Sequence, residues 1–439
     1  MAAAGRVILE VDPITSLGGE PVSVRASGLE PGSHASLVVE QVDEMEVNWE
    51  SKATFVVDKD GVVDPAVQAP VTGSYEGVDP AGLFWSMKPV SELKPGGAFG
   101  KSLTPQKMTA HLEIREIRLA MKSFERLKVA PGVVRREIRE DGIVGTLFLP
   151  EGEGERPGII VLGGSEGGTY EPSAAMYASR GFVTLALAYF GIEDLPRELV
   201  NIPVETVDRA IGWLQAQPGV KADAIGAWGA SKGAELALVS ASVFPAIKAV
   251  VAKSGSAFVF EGISDEMGRV HRSSWSHNGE PLPFVPLGFN MRIGTSYFWS
   301  KMRKKPWPTE PMYSYALKRN KDHPDRVAIH VEKINGPIIM TSGGSDGVWP
   351  ASLMAAINME RLEANKHPHE DVHLHYEDAG HQIANPYTPT TINYLALPGG
   401  FVELLGGTPG ANSDASIDSW PKINDFLARA LGLHTRSRG

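Results

Sequence analysis

The spacing of apolar residues changes character near residue 125. Upstream, apolar and polar side chains alternate in short runs. Residues 21–27 place Val22, Val24 and Ala26 on one face, the period-two signature of a half-buried strand. Residues 28–32 are turn chemistry, 35–40 read as a second strand, and 53–57 as a third, closed by the hairpin signal Asp60-Gly61. Residues 84–87 read as a late strand with core aromatics, and the broken stretch 91–109 as a loop. Short strands punctuated by Gly and Pro predict an N-terminal β-sandwich domain over residues 1–122.

From residue 123 onward the runs lengthen and strands alternate with helical patterns. Residues 133–138 and 143–150 form an expected antiparallel pair joined by Asp141-Gly142. Unbroken apolar runs at 158–162, 182–189, 224–228, 247–252 and 336–341 predict buried strands, and 372–376 a last one. Helices are expected at 174–180, ending at Gly181, at 205–215, and at the closing segment 418–431. This is the α/β pattern, with a mostly parallel sheet. Between about 255 and 333 the pattern is irregular and rich in Trp, Pro and His, which predicts a cap-like insertion.

Composition narrows the functional classes. The chain has 439 residues, 42% hydrophobic and 21% charged, with a formal net charge of −10 and both signs interspersed. Without a basic stripe, nucleic acid is not an expected partner. The lack of any cysteine removes disulfides, thiolate metal sites and a cysteine nucleophile. It also fits a reducing compartment, so a cytoplasmic location is expected. The N-terminal apolar run is short and interrupted by Glu10, unlike a signal peptide, and no window is long enough for a membrane span.

The candidate chemistry starts at Gly229-Ala230-Ser231-Lys232-Gly233, between an apolar strand and a run of helix formers. That strand–turn–helix context is a nucleophile elbow, with Ser231 exposed where its glycine neighbours remove side-chain collisions. Asp346 follows the strand ending near Thr341, and His381 follows the next strand. Both fall at C-terminal strand ends, where active-site groups gather in open α/β sheets. The order Ser231, Asp346, His381 is that of an α/β-hydrolase triad: nucleophile, orienting acid and general base. The oxyanion donors expected are the backbone N–H of Lys232 and one from the Gly-rich loop 163–168, at Ser165 or Glu166. A phosphate-binding role for that loop ranks below, because it lacks the P-loop ending. The Lys232 side chain is expected to face solvent.

Other groups leave alternatives open. Glu193 and Asp194 could line the site or sit as solvated loop carboxylates. His367, His369, His373 and His375 crowd together, and surface histidines are favoured over a metal site; neither metal nor cofactor is expected. Trp275, Met291, Trp299, Met302 and Trp307 either line an acyl pocket or pack the insertion.

The chain resembles the type I acyl-CoA thioesterase / bile acid-CoA:amino acid N-acyltransferase family over nearly its whole length. The resemblance is carried by 27–32 and 82–87, by Pro157-Gly158-Ile159-Ile160 with the following Gly loop, and by Ala186-Leu187-Ala188-Tyr189-Phe190. It continues through Glu193-Asp194-Leu195-Pro196, the 229–233 elbow, Gly279-Glu280-Pro281-Leu282-Pro283, Ser345-Asp346, Gly380-His381 and Gly406-Gly407-Thr408-Pro409. It implies a β-sandwich before an α/β-hydrolase domain at 123–439, and acyl-CoA thioesters as substrates, with an acyl carrier protein as another possible donor. The family's nucleophile, acid and base fall on Ser231, Asp346 and His381. Members that conjugate acyl groups to amino acids tend to carry cysteine as nucleophile, so serine favours hydrolysis. The alternatives are acyl transfer to an amine or alcohol, and hydrolysis of an ester or lactone. Ser165-Glu166 interrupt the family's usual glycines, and the segment from Phe289 to Asp325 is longer, more basic and more aromatic than the family pattern.

Overall fold

The structure, a computed structural model, describes residues 6–91, 102–264, 270–320, 324–397 and 401–433. It divides into two compact units. The first comprises Met1–Val129 with Ala384–Asn393 and Thr408–Ile417; the second holds Ala130–Ile383, Tyr394–Gly407 and Asp418–Gly439. The division falls beyond residue 122 because strand Ile117–Leu127 runs unbroken to its end in the first unit.

In the first unit, Ile8–Asp12 and Ser23–Ser27 pair antiparallel as a small sheet. The larger sheet is built on His34–Val42, Asn48–Val56, Gln106–Ile114 and Ile117–Leu127. Val22, Val24 and Ala26 are buried as the alternation predicts, against Leu37, Val39, Phe55 and Leu112. Two-faced alternation thus yields a sandwich with one core.

Two expectations here change. Residues 84–87 are not a strand: Gly82–Trp85 is one helical turn. Asp79 Oδ1 accepts from the Ala81 N–H at 2.8 Å, a side-chain turn across Pro80 that leads into a helical turn rather than a strand. The expected loop 91–109 ends early, since Gln106 begins a strand; residues 92–101 lie outside the described residues. That strand's hairpin turns at Arg115 and Glu116, φ 50° and 65°, left-handed positions without the usual Gly or Asn signal.

In the second unit eight strands form one sheet: β1 Val134–Glu140, β2 Ile143–Leu149, β3 Arg156–Leu162, β4 Val183–Ala188, β5 Val220–Ala230, β6 Ile247–Lys253, β7 Ile338–Gly343 and β8 Val372–Tyr376. Their order is β1-β2-β4-β3-β5-β6-β7-β8. β1 and β2 are antiparallel to their neighbours, and the remaining pairs are parallel. The β1–β2 turn is Asp141-Gly142, φ 52° and 70°, as a two-residue hairpin requires. Every residue of β4 is buried, so helices cover both faces. They include α1 Glu171–Ala178, α2 Glu205–Gln215, α3 Lys232–Val243 and, later in the chain, α6 Ala351–Ala364, while α4 Met291–Met302 and α5 Glu310–Arg319 lie in the insertion between β6 and β7. The closing helix starts earlier than 418, running Pro409–Leu431. No helix among the described residues is long and apolar enough to cross a membrane.

Candidate active site

Ser231 stands between β5 and α3 with φ 54° and ψ −122°. A non-glycine residue there is strained, and the surroundings must enforce it. They do so through backbone contact. A Cβ on Gly229 would lie 2.1 Å from the Gly233 carbonyl oxygen, and one on Gly233 would lie 2.2 Å from that of Gly163. The two glycines therefore let β5 meet its helix and let the helix press on the end of β3. The Ser231 N–H donates to Lys253 O on β6 at 2.9 Å. The Ser231 carbonyl accepts from the N–H groups of Ala234 and Glu235, which fixes the first helical turn. At the first position of α3, the Lys232 N–H has no intrahelical acceptor and lies beside the serine.

Asp346 and His381 meet beyond the ends of β7 and β8. His381 Nδ1 and Asp346 Oδ2 are 2.8 Å apart, with the side chains 11% and 2% exposed. The other carboxylate oxygen accepts from the Val348 and Trp349 N–H groups, so the acid is held at both oxygens. The His381 backbone is fixed by its N–H to Leu405 O and by Ser254 Oγ donating to its carbonyl. The Trp349 ring lies edge-on to the imidazole, centroids 6.0 Å apart. Burial pushes the imidazole pKa down, but Asp346, Glu403 and Glu166 outweigh it and leave it raised. Among the described residues no hydrogen bond joins Ser231 to His381; such bonds often tighten only around substrate.

The Gly-rich loop turns directly beside the elbow. A Cβ on Gly164 would lie 3.4 Å from Ser231 Cβ and 2.8 Å from Glu166 Oε2. Gly167 N–H closes the turn onto Gly164 O, leaving Ser165 and Glu166 exposed at its tip. Tyr189 at the end of β4 donates its hydroxyl to Gly163 O at 2.5 Å, pinning the loop from below.

Several expectations resolve differently. Lys232 does not face solvent: its ammonium is buried, 2.9 Å from Glu235 Oε2 and 2.8 Å from Ser274 Oγ, among Phe260, Trp275 and Trp349. The i,i+3 carboxylate draws it inward. Burial pulls Lys232 down and Glu235 up, each toward its neutral form. Glu193 sits on the surface, paired to Arg139 at 2.6 Å, and Asp194 is exposed. The histidines do crowd, as two ring pairs with centroids 5.0 Å apart for His367 and His369 and 5.9 Å for His373 and His375, but they are not all superficial. His367 is buried against Asp371 and Ile334 O, while His373 meets Ser342 and His375 meets Glu377. No group of three His, Asp or Glu suited to a metal occurs among the described residues. Trp275 and Trp307 are buried packing residues, whereas Met291, Trp299 and Met302 are exposed.

Glu235 and Glu403 were not singled out in sequence, and Tyr189 was given no role of its own. Tyr189 is signalled by the 186–190 motif and by its place at a buried strand's C-terminal end. Glu403 follows a glycine-rich stretch with no local pattern; its carboxylate accepts from Thr309 Oγ1 at 2.7 Å, and burial raises its pKa.

Two family profiles match this chain. One is described as BAAT / Acyl-CoA thioester hydrolase C terminal, over residues 202–433; the other is the Acyl-CoA thioester hydrolase/BAAT N-terminal region, over 19–140. A peroxisomal succinyl-coenzyme A thioesterase of Mus musculus is 32% identical over 438 residues, covering 98% of each chain. Acyl-coenzyme A amino acid N-acyltransferase 2 of Rattus norvegicus is 32% identical, over 95% of this chain and 97% of that one. Acyl-coenzyme A thioesterase 2, mitochondrial, of Homo sapiens is 30% identical, over 94% and 82%.

Proposed function

Since the chain belongs to the acyl-CoA thioester hydrolase/BAAT family, we propose that it is a serine hydrolase of acyl-CoA thioesters working through Ser231, Asp346 and His381. The observation that carries the reading is the buried Asp346–His381 pair, with a raised imidazole pKa, in one strand-end region with a strained elbow serine.

In this reading Ser231 Oγ attacks the thioester carbonyl as His381 Nε2 takes its proton. Asp346 holds the Nδ1–H tautomer and stabilises the imidazolium. The oxyanion receives the Lys232 N–H and one from the Ser165-Glu166 turn. Collapse breaks the C–S bond, the thiol leaves with the proton from His381, and an acyl-serine remains. Water, deprotonated by His381, then attacks the ester; its collapse frees the acid and returns the proton to Ser231.

Thiol release from short to long acyl-CoAs tests this directly, and a chain without cysteine adds no background to a thiol reagent. The expected result is release in the parent and a loss of roughly a thousandfold or more in Ser231→Ala. No release from any acyl-CoA, with a fluorophosphonate still labelling Ser231, would discard the substrate class. A second reading is acyl transfer to an amine, favoured by the N-acyltransferase relative. Conjugate rather than free acid, when an amino acid acceptor is supplied, selects it. A cytoplasmic location belongs to the same reading, supported by the lack of cysteine, and cell fractionation checks it.

A further inference from the structure

The helix α4 carries its apolar face on the outside. Its inward side is held by Ile293, which is buried, and by Ser296, whose hydroxyl accepts from the Trp307 indole at 3.2 Å. Met291, Phe298 and Met302 recur at i, i+7 and i+11, so at 3.6 residues per turn they line one stripe, with Trp299 at its edge. Their exposures are 87%, 57%, 64% and 55%, and Phe289, just before the helix, is 47% exposed. An isolated exposed leucine is ordinary, but large apolar side chains grouped on the solvent side of one helix mark an interaction surface.

The charge around this stripe narrows the partner. Arg292, Lys301, Arg303, Lys304 and Lys305 surround it, and no acidic residue occurs between Glu280 and Glu310. This is a strongly cationic segment in a chain of net charge −10. Among the described residues none of the five forms an ion pair with a carboxylate. The basic end is held in place: Lys305 N–H donates back to Ser300 O at 3.1 Å, and Ser300 Oγ donates to Lys305 O at 2.6 Å. Lys304 takes the left-handed position that glycine ordinarily fills at such a helix end, with φ 52°. The Arg303 guanidinium lies over the Trp299 ring at 5.5 Å, and Phe298 meets that ring edge-on.

We propose that α4 and its basic C-terminal turn dock on an anionic lipid surface, with Phe298, Trp299 and Met302 entering the headgroup boundary and the lysines facing the phosphates. The combination matches an interfacial helix: an apolar face with Trp and Phe, and flanking Lys and Arg. Water contact for these rings is relieved there, and the cations, which form no ion pair with a carboxylate among the described residues, meet the lipid phosphates. The inference is independent of the catalytic reading.

The test is sedimentation of the full-length protein with vesicles of phosphatidylcholine alone and of phosphatidylcholine with phosphatidylglycerol. The expected result is binding to the anionic vesicles only, weakened by added salt. Phe298→Ser with Trp299→Ser, and separately Lys304→Glu with Lys305→Glu, should each weaken it by roughly tenfold or more. All four side chains are exposed, so circular dichroism and fluorophosphonate labelling of Ser231 should match the parent. Failure of folded parent protein to bind, equal binding to neutral vesicles, or binding unmoved by both pairs of substitutions overturns the proposal. A dimer dispersed by the serine pair, in protein that binds no vesicles, assigns the face to a second copy instead.

Discussion

At the scale of single residues, the site depends on charges that have little access to water. In the proposed mechanism His381 must be neutral to take a proton. Burial lowers its pKa, and the carboxylates of Asp346, Glu403 and Glu166 together raise it above the ordinary histidine value. The acid limb of kcat/KM should therefore lie above that of an unperturbed histidine. Glu166 is exposed and its field is screened; Glu403 is half-buried and acts through a less polar medium. Glu403→Gln should stabilise the imidazolium less and move the acid limb to lower pH, leaving the alkaline plateau in place. A pH–rate profile whose acid limb stays or moves upward would refute that role. Behind Ser231, the Lys232–Glu235 pair carries a separate prediction. Glu235 accepts from Lys232, the Phe260 N–H and the Trp275 indole, with essentially no exposure. Glu235→Ala leaves a buried ammonium unpaired and should cost about 3–5 kcal/mol in urea denaturation. Adding Lys232→Met should recover part of that loss. A single-substitution cost below about 1 kcal/mol would put the pair on the scale of a surface salt bridge.

At the scale of elements, backbone contact at the elbow sets the geometry that the proposed chemistry requires. Gly233 is the point where α3 touches the end of β3, and the loop leaving that strand carries Ser165 and Glu166. Gly233→Ala must push the two apart, since its Cβ would overlap both the Leu162 and Gly163 carbonyl oxygens. We expect a fall in kcat of roughly a hundredfold, the scale of losing one oxyanion donor, in protein that still binds substrate. An unchanged kcat would show that the loop does not set the oxyanion site. The elbow, β8 and α2 were legible because the apolar period and the glycine spacing are local signals. What escaped were two helix starts at a proline step. Asp79 closes a side-chain turn onto the Ala81 N–H ahead of Gly82–Trp85, and Thr408 caps Pro409–Leu431, its Oγ1 accepting from the Ala411 N–H at 3.3 Å. Both stretches are rich in loop-forming residues, so composition masked the helix starts. The burial of Lys232 was equally hidden, because Ser274 and Trp275, which receive the pair, lie far along the chain.

At the scale of the whole molecule, chain connectivity ties His381, the proposed general base, to the first unit. The second unit's chain passes His381, and from Ala384 to Asn393 it belongs to the first unit. The Tyr387 ring there meets Phe84 edge-on at 6.1 Å, with the Arg126 guanidinium 5.4 Å from its centroid. Thr390 N–H donates to Trp85 O at 3.0 Å, and Thr391 Oγ1 donates to Met87 O. The chain then returns to form Tyr394–Ala396 and Val402–Leu404, the hairpin that carries Glu403 and leads to the Leu405 carbonyl bonded by His381 N–H. The chain leaving the proposed general base, and the hairpin whose Leu405 carbonyl holds its N–H, are thus the two ends of a segment that belongs to the first unit. A chain beginning at Ala130 would leave Tyr387 and Ile392 without the core they pack on. We therefore expect protein made from residue 130 onward to lose thioester hydrolysis, even where its eight-stranded sheet forms. Tyr387→Ala in the full chain should lower kcat with less effect on stability than removing the whole unit. Labelling by a fluorophosphonate separates the causes, because it reports how well His381 activates Ser231. Full activity from the shortened chain would mean that the hydrolase unit positions its histidine by itself, through Asp346, Ser254 and Leu405 alone.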